Sequence, residues 1–212
     1  MEEFAKNYFK LLTEEYQGIN LTRINVFEEF YLKQIIDSVA PQEQAEVFKN
    51  AIASTDVVID IGFGGGFPLL PLAYKNPTKT FIGIETRAKK VKVVSEIAEK
   101  LNLNNVKFIH QRIENVLIDL PAVCTLKAVG KVEDFLNKIN TNEKLQVYFY
   151  KGPNFYTLEK EQLINIRKKW NVIEETEITV ENTDKRLIIG FENINVPCGT
   201  LKPSLVKLSE LI

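Results

Sequence analysis

One histidine and two cysteines in 212 residues remove several chemistries at once. Cys124 and Cys198 show no C-x-x-C spacing, and His110 stands alone, so there is too little for a zinc site or a His-centred triad. The expectation is that no metal is bound. Cys124 lies in an apolar run and is expected in the core, while Cys198, beside Gly199, carries no signal. Charge of one sign is also missing: 27 Lys and Arg oppose 28 Asp and Glu, a formal net charge of −1. With no global excess of cations to neutralise phosphates, any nucleic-acid contact must come from a local basic patch. No apolar run approaches the length of a membrane span, and the opening MEEFAKNYFK is acidic and aromatic where a secretion signal is basic and then apolar. A cytoplasmic protein without a membrane partner is expected. Internal repeats, low-complexity tracts and Gly/Ser linkers are absent.

What is present is the balance of a globular chain, 45% apolar and 26% charged, of a length that suits one domain with a full core. Residues 2 to 16 place Phe4, Tyr8, Phe9, Leu11, Leu12 and Tyr16 at helical spacing until Gly18 and Asn20 interrupt. That spacing favours core packing over base stacking for these aromatics. A second helix is predicted through Phe27, Phe30, Tyr31, Ile35 and Ile36 to Asp37-Ser38, and a third after Pro41. Residues 1–52 therefore read as an N-terminal helical segment packed on a main domain of residues 53–212, the two forming one structural unit.

From Asp56 apolar runs alternate with helical patterns. Strands are predicted at 56–61, 80–85, 106–110, 122–129 and 145–150, and helices at 67–76, 87–101, 132–139 and 155–170. The rhythm is that of βαβ units on a parallel sheet. Residues 172–180 and 186–191 flank the polar loop Glu181-Asn182-Thr183-Asp184-Lys185, a hairpin signal, so the sheet should end antiparallel. A final helix over Leu205 to Ile212 is expected from Leu205, Leu208 and Leu211.

The chain is organised around Val57-Val58-Ile59-Asp60-Ile61-Gly62-Phe63-Gly64-Gly65-Gly66-Phe67-Pro68. An apolar run that ends in an acid and turns on glycines describes a buried strand stopping at a tight loop, where backbone approaches a ligand unobstructed. A dinucleotide fold wants Gly-x-Gly-x-x-Gly, and Phe67 takes the place of its third glycine. Glu85, at the end of the next predicted strand, is placed to accept ribose hydroxyls. The missing glycine and the antiparallel ending favour S-adenosylmethionine over NAD. A plain structural turn is the bland alternative.

Asp60-Ile61-Gly62-Phe63-Gly64-Gly65-Gly66-Phe67-Pro68-Leu69-Leu70-Pro71 resembles the first motif of the RsmG (GidB) methyltransferases, and Asn20-Leu21-Thr22 and Asp37-Ser38 stand where that family has its Asn-Leu-Thr and Asp-Ser. The resemblance runs from about residue 8 to residue 191 and implies a Rossmann-like class I methyltransferase fold. It implies methyl transfer from S-adenosyl-L-methionine to N7 of a guanine in 16S ribosomal RNA, on free RNA or the small ribosomal subunit; a monomer is expected. The resemblance also puts Gly62 and Phe67 against the cofactor and Glu85 on its ribose, with Ile113-Glu114 as the adenine-contacting pair; the loop itself adds Asp60, Gly64 and Gly66 as cofactor-binding residues. Lys127, where the family has Arg, and Lys151, in the family's Lys-Gly, become positioning or electrostatic groups at the acceptor, with Lys127 also touching the cofactor. Three departures accompany the match: Leu69 stands for a Gly, Gln34 for a His and Lys127 for the Arg, which keeps the charge and loses the planar fork.

Guanine N7 carries a free lone pair and the sulfonium methyl is already electrophilic, so no general base is expected and the work is orientation and electrostatics. Cations for RNA are richest at Arg87, Lys89, Lys90 and Lys92, then at Arg167, Lys168 and Lys169, although either group also reads as an ordinary charged helix face. Asn20-Leu21-Thr22 reads equally as a turn between helices, Asp37 as a local cap, Arg112 as a surface charge and His110 as a satisfied or exposed histidine. An NAD-dependent oxidoreductase and a non-enzymatic RNA-binding factor are the two rivals.

Overall fold

The computed structural model describes residues 1–159, 163–166, 169–194 and 204–212. Cys198, Gly199, Arg167 and Lys168 lie outside the described residues. Five apolar segments form parallel strands: β1 (Val57–Ile61), β2 (Thr80–Glu85), β3 (Val106–His110), β5 (Ala122–Lys127) and β7 (Leu145–Lys151). Both faces of such a sheet are covered by helices, which is why these runs are apolar and do not alternate. The antiparallel pair β8 (Trp170–Ile178) and β9 (Arg186–Asn193) completes a seven-stranded sheet of order β3-β2-β1-β5-β7-β9-β8. The predicted hairpin is therefore present, with β9 inserted between β7 and β8.

Helices α6 (Leu69–Lys75) and α7 (Ala88–Lys100) connect β1 to β2 and β2 to β3. The N-terminal segment comprises α1 (Glu2–Lys10), followed by a π-helical turn Leu11–Glu15, and α2 (Phe27–Phe30), which continues through a π-helical stretch Tyr31–Ile36 into α3 (Asp37–Val39). Short α4 (Pro41–Gln44) and α5 (Glu46–Ser54) lead into β1. Phe4, Tyr8, Phe30 and Phe48 share one buried cluster with Leu69, Leu70 and Val94 from α6 and α7. Full burial of side chains such as Phe30 and Phe48 stabilises the docked segment by roughly 1.5–3 kcal/mol each. The N-terminal aromatics thus pack as core, Phe4 also stacking on Tyr74 at 4.4 Å.

A second cluster on the opposite face joins Ile59, Cys124 and Phe149 to α8 (Val132–Leu136), α9 (Phe155–Glu159) and α10 (Leu163–Ile166). Cys124 is fully buried, and burial raises its thiol pKa.

Two expectations are corrected. The helix expected over 155–170 ends earlier, because Trp170 pairs with Asn193 as the first residue of β8. The C-terminal helix expected over Leu205–Ile212 is instead a two-residue strand, β10 (Val206–Lys207), and one turn of 3₁₀ helix, Leu208–Glu210. β10 pairs with β4 (Val116–Ile118), which also pairs with β6 (Asn140–Thr141), and Ser209 is tied to Asp119 through Ser209 N at 3.0 Å. Leu208 is buried while Leu211 remains exposed, so the leucine spacing that suggested a helix serves only one anchor.

Candidate active site

The order of the sheet reverses between β1 and β5, where a crevice opens beyond the carboxyl ends of the strands. A cavity of about 380 Å³ lies there, lined by the loop after β1, by Glu85, Thr86, Arg87 and Lys90 after β2, by Lys127 and Ala128 after β5, and by Leu21 and Gln34 of the helical segment.

The loop is bent by glycine. Gly62, Gly64 and Gly66 all have positive φ, at 76°, 56° and 89°. Gly65 and Gly66 serve a second purpose, since a Cβ on the former would collide with the Leu21 carbonyl and one on the latter with the Tyr8 hydroxyl. Tyr8 donates to the Gly65 carbonyl and stacks on Phe67 at 5.2 Å. Asn20-Leu21-Thr22 is thus a local turn, closed by Ile24 N on Thr22 Oγ1 at 3.1 Å, that presses Leu21 on the glycine loop.

Asp60 does not line the cavity. Its carboxylate is buried beneath the loop, accepting from Leu69 N at 3.2 Å and Thr125 Oγ1 at 3.0 Å. Burial pushes its pKa up to about 7 against the lowering effect of those two bonds and of Lys127. This arrangement closes the start of α6: Leu69 N is taken, Pro68 has no N–H, and the Gly66 and Phe67 amides donate to Phe63 O at 2.7 and 3.2 Å. A diphosphate, which needs free amides at that helix start, finds no donors there.

Glu85 is held for a different ligand. Its Oε1 accepts from Thr86 N, Arg87 N and Thr86 Oγ1 at 2.8, 3.0 and 3.1 Å, and its Oε2 from Gly64 N at 3.2 Å. The carboxylate is thereby fixed at the cavity wall, where it suits the two hydroxyls of a ribose. These residues fit a nucleoside with a diol and no diphosphate, which is the character of S-adenosylmethionine. Ile113 and Glu114 follow β3, whose His110 is in register with Glu85. Ile113 is buried, and Glu114 pairs with Arg112 at 3.2 Å; both lie beyond the cavity lining described above. His110 is exposed and bonded to Thr86 O at 3.0 Å.

At the opposite end of the cavity stands a buried polar network that the sequence did not announce. Lys127 Nζ contacts Asp37 Oδ2 at 2.6 Å, Ser38 Oγ at 3.3 Å and Lys33 O at 3.4 Å. Arg186 Nε reaches the other Asp37 oxygen at 3.3 Å, and Tyr150 Oη donates to Ser38 O at 2.9 Å. Burial lowers the Lys127 pKa and the Asp37 carboxylate opposes that shift. Strands β5, β7 and β9 therefore all grip Asp37-Ser38. The local cap that the sequence suggested for Asp37 is instead a long-range ion pair with Lys127 and Arg186.

Lys151 is placed elsewhere. Its ammonium bonds Gly130 O at 2.8 Å and Glu159 Oε1 at 2.9 Å, and lies 5.7 Å from the ring centres of Phe149 and Phe155. It is not among the residues lining the cavity. Of the basic residues after β2, Arg87 and Lys90 face the cavity, while Lys89 and Lys92 are exposed on α7.

The GidB family, described as rRNA small subunit methyltransferase G, matches residues 1–188. The ribosomal RNA small subunit methyltransferase G of Petrotoga mobilis is 30% identical over 186 residues, covering 84% of this chain and 81% of the relative. That of Lactobacillus acidophilus is 40% identical over 112 residues, covering 52% of this chain and 45% of the relative, so this match spans less than half of that protein. Among solved structures, the glycopeptide N-methyltransferase MtfA superposes with a TM-score of 0.55 at 6% identity, covering 76% of this chain and 97% of its own. A 16S rRNA adenine-N1 methyltransferase from Catenulisporales acidiphilia gives 0.50 at 14% identity, covering 71% and 91%. These two likenesses establish the Rossmann-like class I methyltransferase fold. By the match over residues 1–188 and the identity retained across 186 residues, the chain belongs to the GidB family of rRNA small subunit methyltransferase G.

Proposed function

We propose that this protein transfers a methyl group from S-adenosyl-L-methionine to N7 of a guanine in 16S ribosomal RNA, as a monomer in the cytoplasm. One observation carries the choice of cofactor: the start of α6 is closed by Asp60 while the Glu85 carboxylate stands fixed at the cavity wall. The bound cofactor supplies an electrophilic methyl group. Glu85 orients the nucleoside half, the backbone at Gly62 and Gly64 lets it approach, and Phe67 with Leu21 excludes water along one side.

No group in the cavity needs to remove a proton, because N7 attacks through a free lone pair. Lys127 holds the helical segment against β5 at the acceptor end, and Asp37 balances its charge where the purine ring becomes cationic. Lys151 acts at a distance by securing α9 and the loop at Gly130. Arg87, Lys89, Lys90 and Lys92 have no carboxylate ion pair among the described residues and supply the cationic rim for RNA phosphates.

The test is incubation of the protein with labelled S-adenosylmethionine and unmodified small subunits, followed by mapping of N7-methylguanosine. Transfer to a single guanine is expected. Tighter binding of NAD than of S-adenosylhomocysteine would overturn the cofactor assignment, and cofactor binding without transfer would make the protein an RNA-binding factor with a vestigial pocket.

A further inference from the structure

The cavity is not symmetric, and its two ends are chemically distinct. Glu85, Thr86, Arg87 and Lys90 belong to the β2 end; Lys127 and Ala128 follow β5, Gln34 joins them next to the Lys33 carbonyl that Lys127 Nζ contacts, and Leu21 lies against Gly65 of the loop after β1. If Glu85 holds the ribose, the methyl group points toward β5, and the acceptor base must arrive beside Gln34, Lys127 and Ala128, with Leu21 the neighbouring wall. Leu21 is apolar, and Ala128 offers a methyl group on a backbone of positive φ, 55°. The Lys127 ammonium is already directed at Asp37, Ser38 and Lys33, three acceptors for its three protons. The Gln34 side-chain amide alone is left: it lines the cavity, is half-buried, and has no hydrogen-bond partner among the described residues.

The backbone of Gln34 is well anchored. Its carbonyl accepts from Ser38 Oγ, and Ser38 is in turn held by Lys127 Nζ and by Tyr150 Oη. An uncommitted carboxamide is thus mounted on the most firmly tied part of the helical segment, at the end of the cavity where the base enters.

We infer that Gln34 reads the acceptor base, its amide N–H donating to O6 of the guanine whose N7 faces the methyl group. The inference rests on the function proposed above. On the Hoogsteen edge of guanine N7 and O6 are adjacent and both are acceptors, so a group beside the methyl-transfer position meets O6 next. A neutral donor suits this place, because the purine gains positive charge and a second uncompensated cation would oppose it. Gln34 is a specificity residue that touches the acceptor, with no proton to transfer.

The experiment compares wild type with Gln34→Ala, Gln34→His and Gln34→Glu, using unmodified small-subunit rRNA and a matched RNA with 2-aminopurine, which lacks O6, at the mapped guanine. Gln34→Ala should lower kcat/KM for RNA roughly tenfold, the worth of one hydrogen bond, with affinity for S-adenosylhomocysteine unchanged. Gln34→His, which keeps a donor, should retain most activity, whereas Gln34→Glu, an acceptor facing O6, should lose more than Gln34→Ala. On the 2-aminopurine RNA, wild type and Gln34→Ala should be equally slow, since the partner atom is gone. Full activity of Gln34→Ala, a parallel loss of cofactor affinity, or additive losses for variant and base analogue would overturn the inference while leaving the methyltransferase reading intact. A wild-type protein that transfers no methyl group to rRNA would overturn the functional reading and this inference with it.

Discussion

Lys127 and Lys151 are two lysines at the ends of neighbouring parallel strands, the second buried and the first nearly so, each bound to a carboxylate, yet they have come to different uses. Lys127 reaches across to Asp37 of the helical segment and lines the cavity. Lys151 turns to Glu159 of α9 and to the Gly130 carbonyl after β5, outside the cavity lining, with its ammonium 5.7 Å from the ring centres of Phe149 and Phe155. A cation at a strand end therefore marks the ligand-binding rim of the sheet in general. Which element supplies its counter-ion decides whether it belongs to the site. Asp60 adds a third case, a buried carboxyl held by a hydroxyl and an amide with no ion pair among the described residues, and burial raises its pKa.

Replacing Asp37 by Ala should produce the largest effect, because it strands the buried Lys127 ammonium and releases Arg186 together. A loss of about 3–5 kcal/mol in unfolding free energy is expected from urea titration, with transfer activity falling in parallel. Intact stability would mean that the network is ornamental. Lys151→Met should cost less, about 2–3 kcal/mol, since Glu159 keeps its bond from Val132 N at 2.8 Å. In the folded variant, affinity for S-adenosylhomocysteine should match wild type by calorimetry. A change in that affinity would erase the contrast between the two lysines.

Asp60 sharpens the contrast through pH. Its folded-state pKa of about 7 lies above the ordinary value of 3.8, so the folded protein holds the proton more tightly than the unfolded chain. The associated penalty is absent below the unfolded pKa, grows as pH rises through the interval between the two values, and is complete above the folded one. Asp60→Asn should remove a decline in stability of roughly 2 kcal/mol between pH 5 and pH 7, measured by denaturant unfolding at each pH. A slope unchanged by the substitution would show that Asp60 is ionised throughout. The smallest effect is expected from Glu85→Gln, which keeps the shape and loses the charge at the proposed ribose end: affinity for S-adenosylhomocysteine should fall about tenfold, with a modest fall in melting temperature because the amide NH2 faces the Gly64 N–H. Unaltered affinity would move the nucleoside away from β2.

Much of the frame was legible in the residues because local pattern and tertiary role agree there. Val57–Ile61 is apolar on both faces because helices cover both, and Gly62, Gly64 and Gly66 are glycines because their φ angles are positive. The hairpin of β8 and β9 was announced by the polar loop around Asn182, which itself has φ 55°. Where pattern misled, long-range pairing had taken over. Trp170 is apolar at helical distance from Phe155, yet it pairs with Asn193 and starts a strand. β4, β6 and β10 are too short to show a period, and each exists only by virtue of the others. Gly66 read as a cofactor glycine, whereas part of its purpose is to let Tyr8 close on the loop, as Gly65 does for Leu21.

The sequence by itself determined the βαβ order, the position of the glycine turn, the acid after the second strand and the absence of a diphosphate fingerprint, because each is written in neighbouring residues. Only the tertiary structure decided that Asp60 caps α6 from beneath, that Asp37 gathers Lys127 and Arg186, and that Gln34 is left facing the cavity. Those contacts join residues far apart in the chain, and their partners are chosen by the docking of the helical segment on the sheet, which no local pattern encodes.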